Sequence, residues 1–226
     1  MAVQSCPIDL RKIELQPGQT LGLNGIEWAE FEQILTRWCD RTLPRLAYHH
    51  CRLELRMPLP EHEKIKRLIV ILIELVLDAL ELDWEPYGST TLKRQDLQVG
   101  IELDDCFYIQ NAARMVGLGR LDLTVDPPPD LAIEIDITSP THLAAYAQFG
   151  VPELWRYQQG TLEIWQLRNG IYEQCDRSAI FPQIPILDLM AHCLPRLTSE
   201  PVSRLKRDAH QWIQTHLIAS EQPRER

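Results

Sequence analysis

Five acidic side chains fall where the sequence predicts β-strands. Asp104 and Asp105 interrupt an apolar stretch between Ile101 and Ile109, Asp130 stands at the mouth of the next stretch, and Glu134 and Asp136 lie inside it. Alternation sends Leu131, Ile133, Ile135 and Ile137 to one face of that strand and Glu134 and Asp136 to the other. A buried carboxylate is costly unless it is paired, hydrogen-bonded or on a metal. Two on one strand face, with a third acid on a neighbouring strand, repel one another unless a cation lies between them. An all-oxygen site of this kind suits Mg2+ or Mn2+. Such an ion polarises a phosphoryl oxygen and makes a bound water acidic enough for in-line attack. The competing reading has this face solvated, or its acids neutralised by Arg52, Lys93 or Arg94.

The other reactive residue types give weaker patterns. Six cysteines are scattered without a CxxC pair, which argues against a zinc knuckle or a thioredoxin-like motif. Cys106, beside the acids, reads as a packing thiol rather than a nucleophile. His49 and His50 fall in a turn, with no second cluster at metal-ligand spacing. The segment after Gly88 lacks the frame of a phosphate loop.

These residues need elements to hold them. The strongest helix signal runs over 61–82, where Ile65, Leu68, Ile69, Leu72, Ile73, Val76, Leu77 and Leu80 form a broad apolar stripe. Glu61 and Glu63 sit in its first turn, where the helix dipole favours negative charge. A shorter amphipathic helix begins at Ile26, and 45–57 reads as a hairpin turning at His49-His50-Cys51. Strands are expected over 84–92, 100–110, 130–138, 153–157, 161–167 and 171–175, with Asn169-Gly170 as a tight turn. A short helix is expected over 141–149, and the chain returns to helix from about 184. The fold class is therefore mixed α/β, with a sheet covered by the 61–82 helix.

Bulk numbers bound the function. A length of 226 residues suits a single domain over 1–226, with a core at about 45–180 and a helical extension at about 184–220. Hydrophobic content of 45% and charged content of 24% are those of an ordinary soluble protein. No apolar run reaches the roughly 18–20 residues that span a bilayer, and the first residues lack the pattern of a signal peptide. A cytoplasmic location without membrane association is the expectation. The net charge of −9 argues against broad, sequence-independent duplex binding without a metal or partner.

The strings GIELDDCFYIQN, DLTVDPPPDLAIEIDITSP and YAQFGVPELWRY, with LPRLAYHHCRLELRMPLPEHE and YGSTTLKRQDL upstream, resemble the Uma-two family of bacterial restriction endonucleases. That family belongs to the PD-(D/E)XK phosphodiesterase superfamily, and the resemblance spans residues 15–189. It implies a restriction-endonuclease-like mixed sheet packed on the long helix, with the N-terminal helix and hairpin and the C-terminal helices as additions. It also implies that Asp104 is the acid of the "PD" position, with Leu103 replacing proline, and that Glu134 is the (D/E) acid. Asp136 stands where the superfamily motif carries lysine. The basic residue of this family comes from the following helix, four positions before a tyrosine; before Tyr146 that position is His142. Glu63 or Glu61 matches an additional helix glutamate, and Lys93 or Arg94 is a further candidate for the missing lysine.

The expectation is thus a nuclease hydrolysing DNA phosphodiester bonds. Asp104, Glu134 and His142 are its catalytic residues, and Asp104, Glu134, Asp136 and Glu63 its ligands for Mg2+ or Mn2+. The alternative is a catalytically weakened or inactive member of the same fold that binds nucleic acid or a protein. A homodimer is a third reading.

Overall fold

The computed structural model of the chain describes residues 13–38, 44–137 and 143–221. His142 therefore lies outside the described residues. Helix α1 (Trp28–Trp38) is followed by the long helix α2 (Pro60–Ala79). Pro60 opens α2 at a position whose amide needs no partner and whose fixed φ suits a helix, and Glu61 and Glu63 fill the first turn. The helix stops three residues short of its expected end. Glu81 adopts φ 53°, and Leu82 N–H closes onto the Leu77 carbonyl, a left-handed cap that uses up an end carbonyl.

One sheet is expected and two are found. The first is antiparallel and is built from β1 (Thr20–Asn24), β2 (Arg45–His49), β3 (Arg52–Arg56), β5 (Thr91–Arg94) and β6 (Val99–Glu102), in the order β1-β3-β2-β6-β5. The second holds β4 (Glu85–Pro86), β7 (Asp105–Tyr108), β8 (Leu131–Asp136), β9 (Glu153–Gln158), β10 (Thr161–Arg168) and β11 (Ile171–Cys175), in the order β11-β10-β9-β8-β7-β4. This second sheet is mixed, because β8 and β9 run parallel; the short helix α3 (Ala112–Met115) precedes β8, and α4 (Leu143–Phe149) lies between β8 and β9 in the chain. The expected strand over 100–110 is split between the sheets at Leu103 and Asp104. The stretch 84–92 is split likewise, around Gly88 at φ 53°. Each hairpin turn falls where expected: His50 and Cys51 both take positive φ, as do Asn169 and Gly170.

The alternation on β8 divides the core. Leu131, Ile133 and Ile135 pack with α2 and the C-terminal helices α5 (Ile186–Cys193) and α6 (Val202–Glu221). Ala132, on the other face, joins Leu103, Cys106, Ala145 and Tyr146 of a second cluster. The C-terminal helical stretch is divided at Pro195 and Pro201, with a 3-10 turn at Leu194–Thr198. Between the sheet faces and α1 lies a third cluster, where Phe31 packs so close to Gly100 that a methyl group there would stand 2.6 Å from its ring. Among the described residues, no helix is long and apolar enough to cross a membrane.

Candidate active site

The point where the chain passes from the first sheet to the second sets the site. Leu103 N–H donates to the Thr90 carbonyl, and the chain enters β7 two residues later, at Asp105. Asp104 is thereby held between the sheets, 3% exposed. Its Oδ2 accepts Ile135 N–H at 2.7 Å, while its own N–H donates to Glu134 Oε1 at 3.3 Å. These reciprocal bonds bring together the two acids that the sequence singled out. Tyr146, from α4, donates its hydroxyl to the same Glu134 oxygen.

Two hydrogen-bond donors complete the arrangement, and neither is among the expected site residues. Arg45, at the start of β2, donates from Nη1 to the Leu103 carbonyl at 2.6 Å and lies 2.9 Å from Asp104 Oδ1. His62, in the first turn of α2 and 7% exposed, places Nε2 at 3.0 Å from Asp104 Oδ2. An ionised carboxylate only accepts, so His62 Nε2 carries the hydrogen. A signal for His62 was present, since it shares the buried face of α2 with Ile65 and Ile69 at helical spacing. No local pattern marks Arg45, whose partner is 58 residues away in the chain.

Burial alone would push the Asp104 carboxyl up. The His62 hydrogen bond, the Arg45 charge and the Ile135 amide outweigh it and hold the group below the usual carboxylate range. Glu134 goes the other way. Burial and then repulsion from Asp104 raise it well above an ordinary glutamate, despite the Tyr146 hydroxyl and Arg45. Burial, followed by the charge of Glu134, likewise raises the Tyr146 phenol. The two acids differ in the manner of paired carboxylates whose environments push their proton affinities apart.

A cavity of about 240 Å³ opens onto this pair. Arg45, Tyr48 and Gly100 line it from the first sheet, and Glu134, Asp136 and Tyr146 from β8 and α4. Asp136 is 8% exposed, with Arg156 Nε at 3.9 Å, although the Arg156 guanidinium is engaged chiefly by Glu163 at 2.6–2.9 Å. Glu63 does not line the cavity. It pairs with Lys66 at 2.7 Å and approaches His62 and Arg45 at 3.3 and 3.5 Å. Glu61 does not line the cavity either.

Lys93 and Arg94 do not supply the missing base. Lys93 Nζ is held by Glu32 of α1 at 2.6–2.7 Å, and Arg94 by Asp96. Both belong to β5 at the edge of the first sheet, and neither lines the cavity. Arg52 lines the cavity but is paired with Glu54 at 3.3 Å. Asp130 has a structural role, its Oδ2 accepting Ile109 and Gln110 N–H at 2.7 and 2.9 Å. Cys106 is fully buried, which raises its thiol far out of the reactive range.

An acid pair lies at a cavity where a mixed sheet meets an antiparallel neighbour, with a long helix behind, in a mixed α/β protein. The chain belongs to the Uma2 family: the family model described as "Putative restriction endonuclease" matches residues 28–189. Among solved structures it is similar to a "putative nuclease belonging to DUF820 from Anabaena variabilis ATCC 29413". The identity is 14% and the TM-score 0.47, over 79% of this chain and 98% of that one. No curated protein matches the sequence.

The donor chemistry can be tested against the divalent ion that the family implies. Among the described residues, no three His, Cys, Asp or Glu side chains gather as a metal-binding group. Mg2+ in phosphate-handling sites, however, is held by one or two carboxylates, with water and substrate oxygens completing the shell. Asp104 and Glu134 meet that smaller requirement, and their mutual repulsion is what a cation would relieve.

Proposed function

We propose that the chain is a nuclease that hydrolyses DNA phosphodiester bonds at the Asp104–Glu134 pocket. The observation that carries this reading is the convergence of the two acids at a cavity, one held ionised and its neighbour driven up by it. Asp104 and Glu134 would hold Mg2+ or Mn2+, with Asp136 on the same strand face as an outer ligand. Bound there, such an ion supplies Lewis acidity and charge neutralisation at the phosphoryl group.

The chain's own residues do the rest. Arg45 and His62 fix the Asp104 carboxylate from two sides, and the Tyr146 hydroxyl fixes the rotamer of Glu134. Glu134, raised above an ordinary glutamate by burial and by Asp104, is the acid whose ionised form a bound cation would favour. Ile101 and Ala145 add apolar wall to the cavity beside the acids. Glu63, held by Lys66, acts through Arg45 and His62 in this scheme. His142, by its place in the sequence, is the candidate for the basic group at the entrance to α4.

The test is cleavage of plasmid and linear DNA by the pure protein, with and without Mg2+ or Mn2+. Metal-dependent cleavage that Asp104→Ala and Glu134→Ala both abolish is expected. Cleavage that both variants retain would come from a contaminant and sinks the reading.

Two observations favour the alternative, a weakened or inactive member of the fold that binds nucleic acid. Among the described residues no lysine lines the cavity, and both Asp104 oxygens already accept protein hydrogen bonds or ion pairs. Retarded DNA migration without cleavage under any metal condition would select that reading over the first.

A further inference from the structure

We propose that Arg45 is a built-in counter-cation of the Asp104–Glu134 pocket and that it competes with a divalent ion for the site, so that this side chain sets the metal affinity. The inference rests on the metal reading of the pocket given above.

The geometry is that of a clamp rather than a passing contact. Nη1 reaches both the Leu103 carbonyl at 2.6 Å and Asp104 Oδ1 at 2.9 Å, so the guanidinium grips backbone and side chain of consecutive residues. Nη2 stands 3.5 Å from both Glu63 Oε1 and Ser89 Oγ, and Ser89 in turn donates to the Asp104 carbonyl at 3.2 Å. Arg45 is only 8% exposed, and Glu102 lies beside it with Oε2 on the Leu46 amide. A guanidinium buried among carboxylates stays charged and presents its donors in a fixed fork. The other arginines of the cavity wall, Arg52 and Arg56, are paired with Glu54 instead.

The consequence concerns the oxygen a metal would need. Asp104 Oδ2 is already taken by Ile135 N–H and His62, so the lone pairs left to a cation are those of Oδ1, and there Arg45 stands. A divalent ion must displace Nη1 from Oδ1 or bind against its charge. Either route weakens binding, because like charges this close repel strongly away from bulk water. The same contact lets the acid pocket keep its shape without metal.

The experiment is calorimetric titration of Mn2+ into the full chain, beside Arg45→Met and Asp104→Asn, with thermal unfolding of each protein with and without Mn2+. Arg45→Met is expected to bind Mn2+ at least about tenfold more tightly than the parent. Its melting temperature should fall without metal and recover with it, since the metal binds only the folded chain. A folded Arg45→Met protein that binds Mn2+ equally or more weakly overturns the proposal. If that variant does not fold, Arg45→Lys replaces it. Lysine keeps the charge but loses the two-point grip, and a rise of at least about threefold is expected; unchanged affinity overturns the proposal. Should parent and variant alike show no Mn2+ binding that Asp104→Asn removes, the metal reading falls together with this inference. Where the parent binds through Asp104 and the arginine variant gains nothing, only this inference falls.

Discussion

Two buried glutamates on adjacent strands put the same residue type to opposite uses. Glu134 lies inside β8 and Glu153 opens β9, and they are 8% and 1% exposed. Glu153 is fully served by neutral donors. Its Oε1 accepts from Trp155 Nε1 at 2.7 Å and Ser178 Oγ at 2.6 Å, and its Oε2 from Ala179 N–H at 2.7 Å and Gln166 Nε2 at 3.4 Å. No second acid stands among these partners, and Glu153 does not line the cavity. Glu134 has the Tyr146 hydroxyl and the Asp104 amide, with the Asp104 carboxylate beside it and open space in front. Burial of an acid is therefore not what marks the candidate site. A like charge next to it, at a cavity, is.

The contrast can be broken by substitution, and the largest effect is expected at the structural acid. Glu153→Leu strands the Trp155 indole, Ser178 hydroxyl and Ala179 amide without their acceptor. It should cost about 3–4 kcal/mol in urea unfolding, with DNA cleavage per folded molecule unchanged. A cost under about 1 kcal/mol would mean that Glu153 is not the strap that holds residues 178–179 to β9.

Asp104→Asn comes next. It leaves the Arg45 and His62 donors facing a neutral amide and should cost about 2–4 kcal/mol near neutral pH. The folded-state pKa of Asp104 lies below its unfolded value, so its contribution is present above about pH 4 and is lost as the pH falls through the depressed folded value. Parent and variant stability curves should therefore converge in acid and separate above about pH 4. A gap that instead widens in acid contradicts the assigned ion pair.

The smallest effect has the opposite sign. The folded-state pKa of Glu134 lies above its unfolded value, so its neutral form contributes fully below about pH 4.3, and this is lost as the pH rises through the folded value. Glu134→Gln removes that loss. It should raise the melting temperature by roughly 2–4 °C at pH 8, about 1 kcal/mol in a chain of this size, and by much less at pH 4. Stabilisation by loss of a reactive carboxylate is the trade expected at a functional site. A Glu134→Gln protein less stable than the parent at pH 8 would place Glu134 with Glu153, as a structural acid.

Most elements were legible because they rest on short-range pattern. The apolar stripe of α2, the hairpin turns at His50-Cys51 and Asn169-Gly170, and the strands β8 to β11 each follow from spacing within a few residues. The two split strands share one cause. The stretches 84–92 and 100–110 read as continuous strands, since alternation cannot tell which sheet a residue joins. The breaks come from partners far along the chain, such as the Thr90 carbonyl that takes Leu103 N–H.

For the site, the sequence by itself determined the acids. Glu134 and Asp136 inside an apolar strand, and Asp104 interrupting an apolar stretch, stand out by alternation and by the cost of burying charge. What sets Glu134 apart from the likewise buried Glu153 lies in which groups the fold brings alongside. Only the tertiary structure decided that Arg45 and His62 face Asp104 while Lys93 and Arg94 turn to other partners. Periodicity fixes the face a side chain takes, but the charge it meets on that face is set by sheet order, and in this chain Arg45 and Leu103 are 58 residues apart.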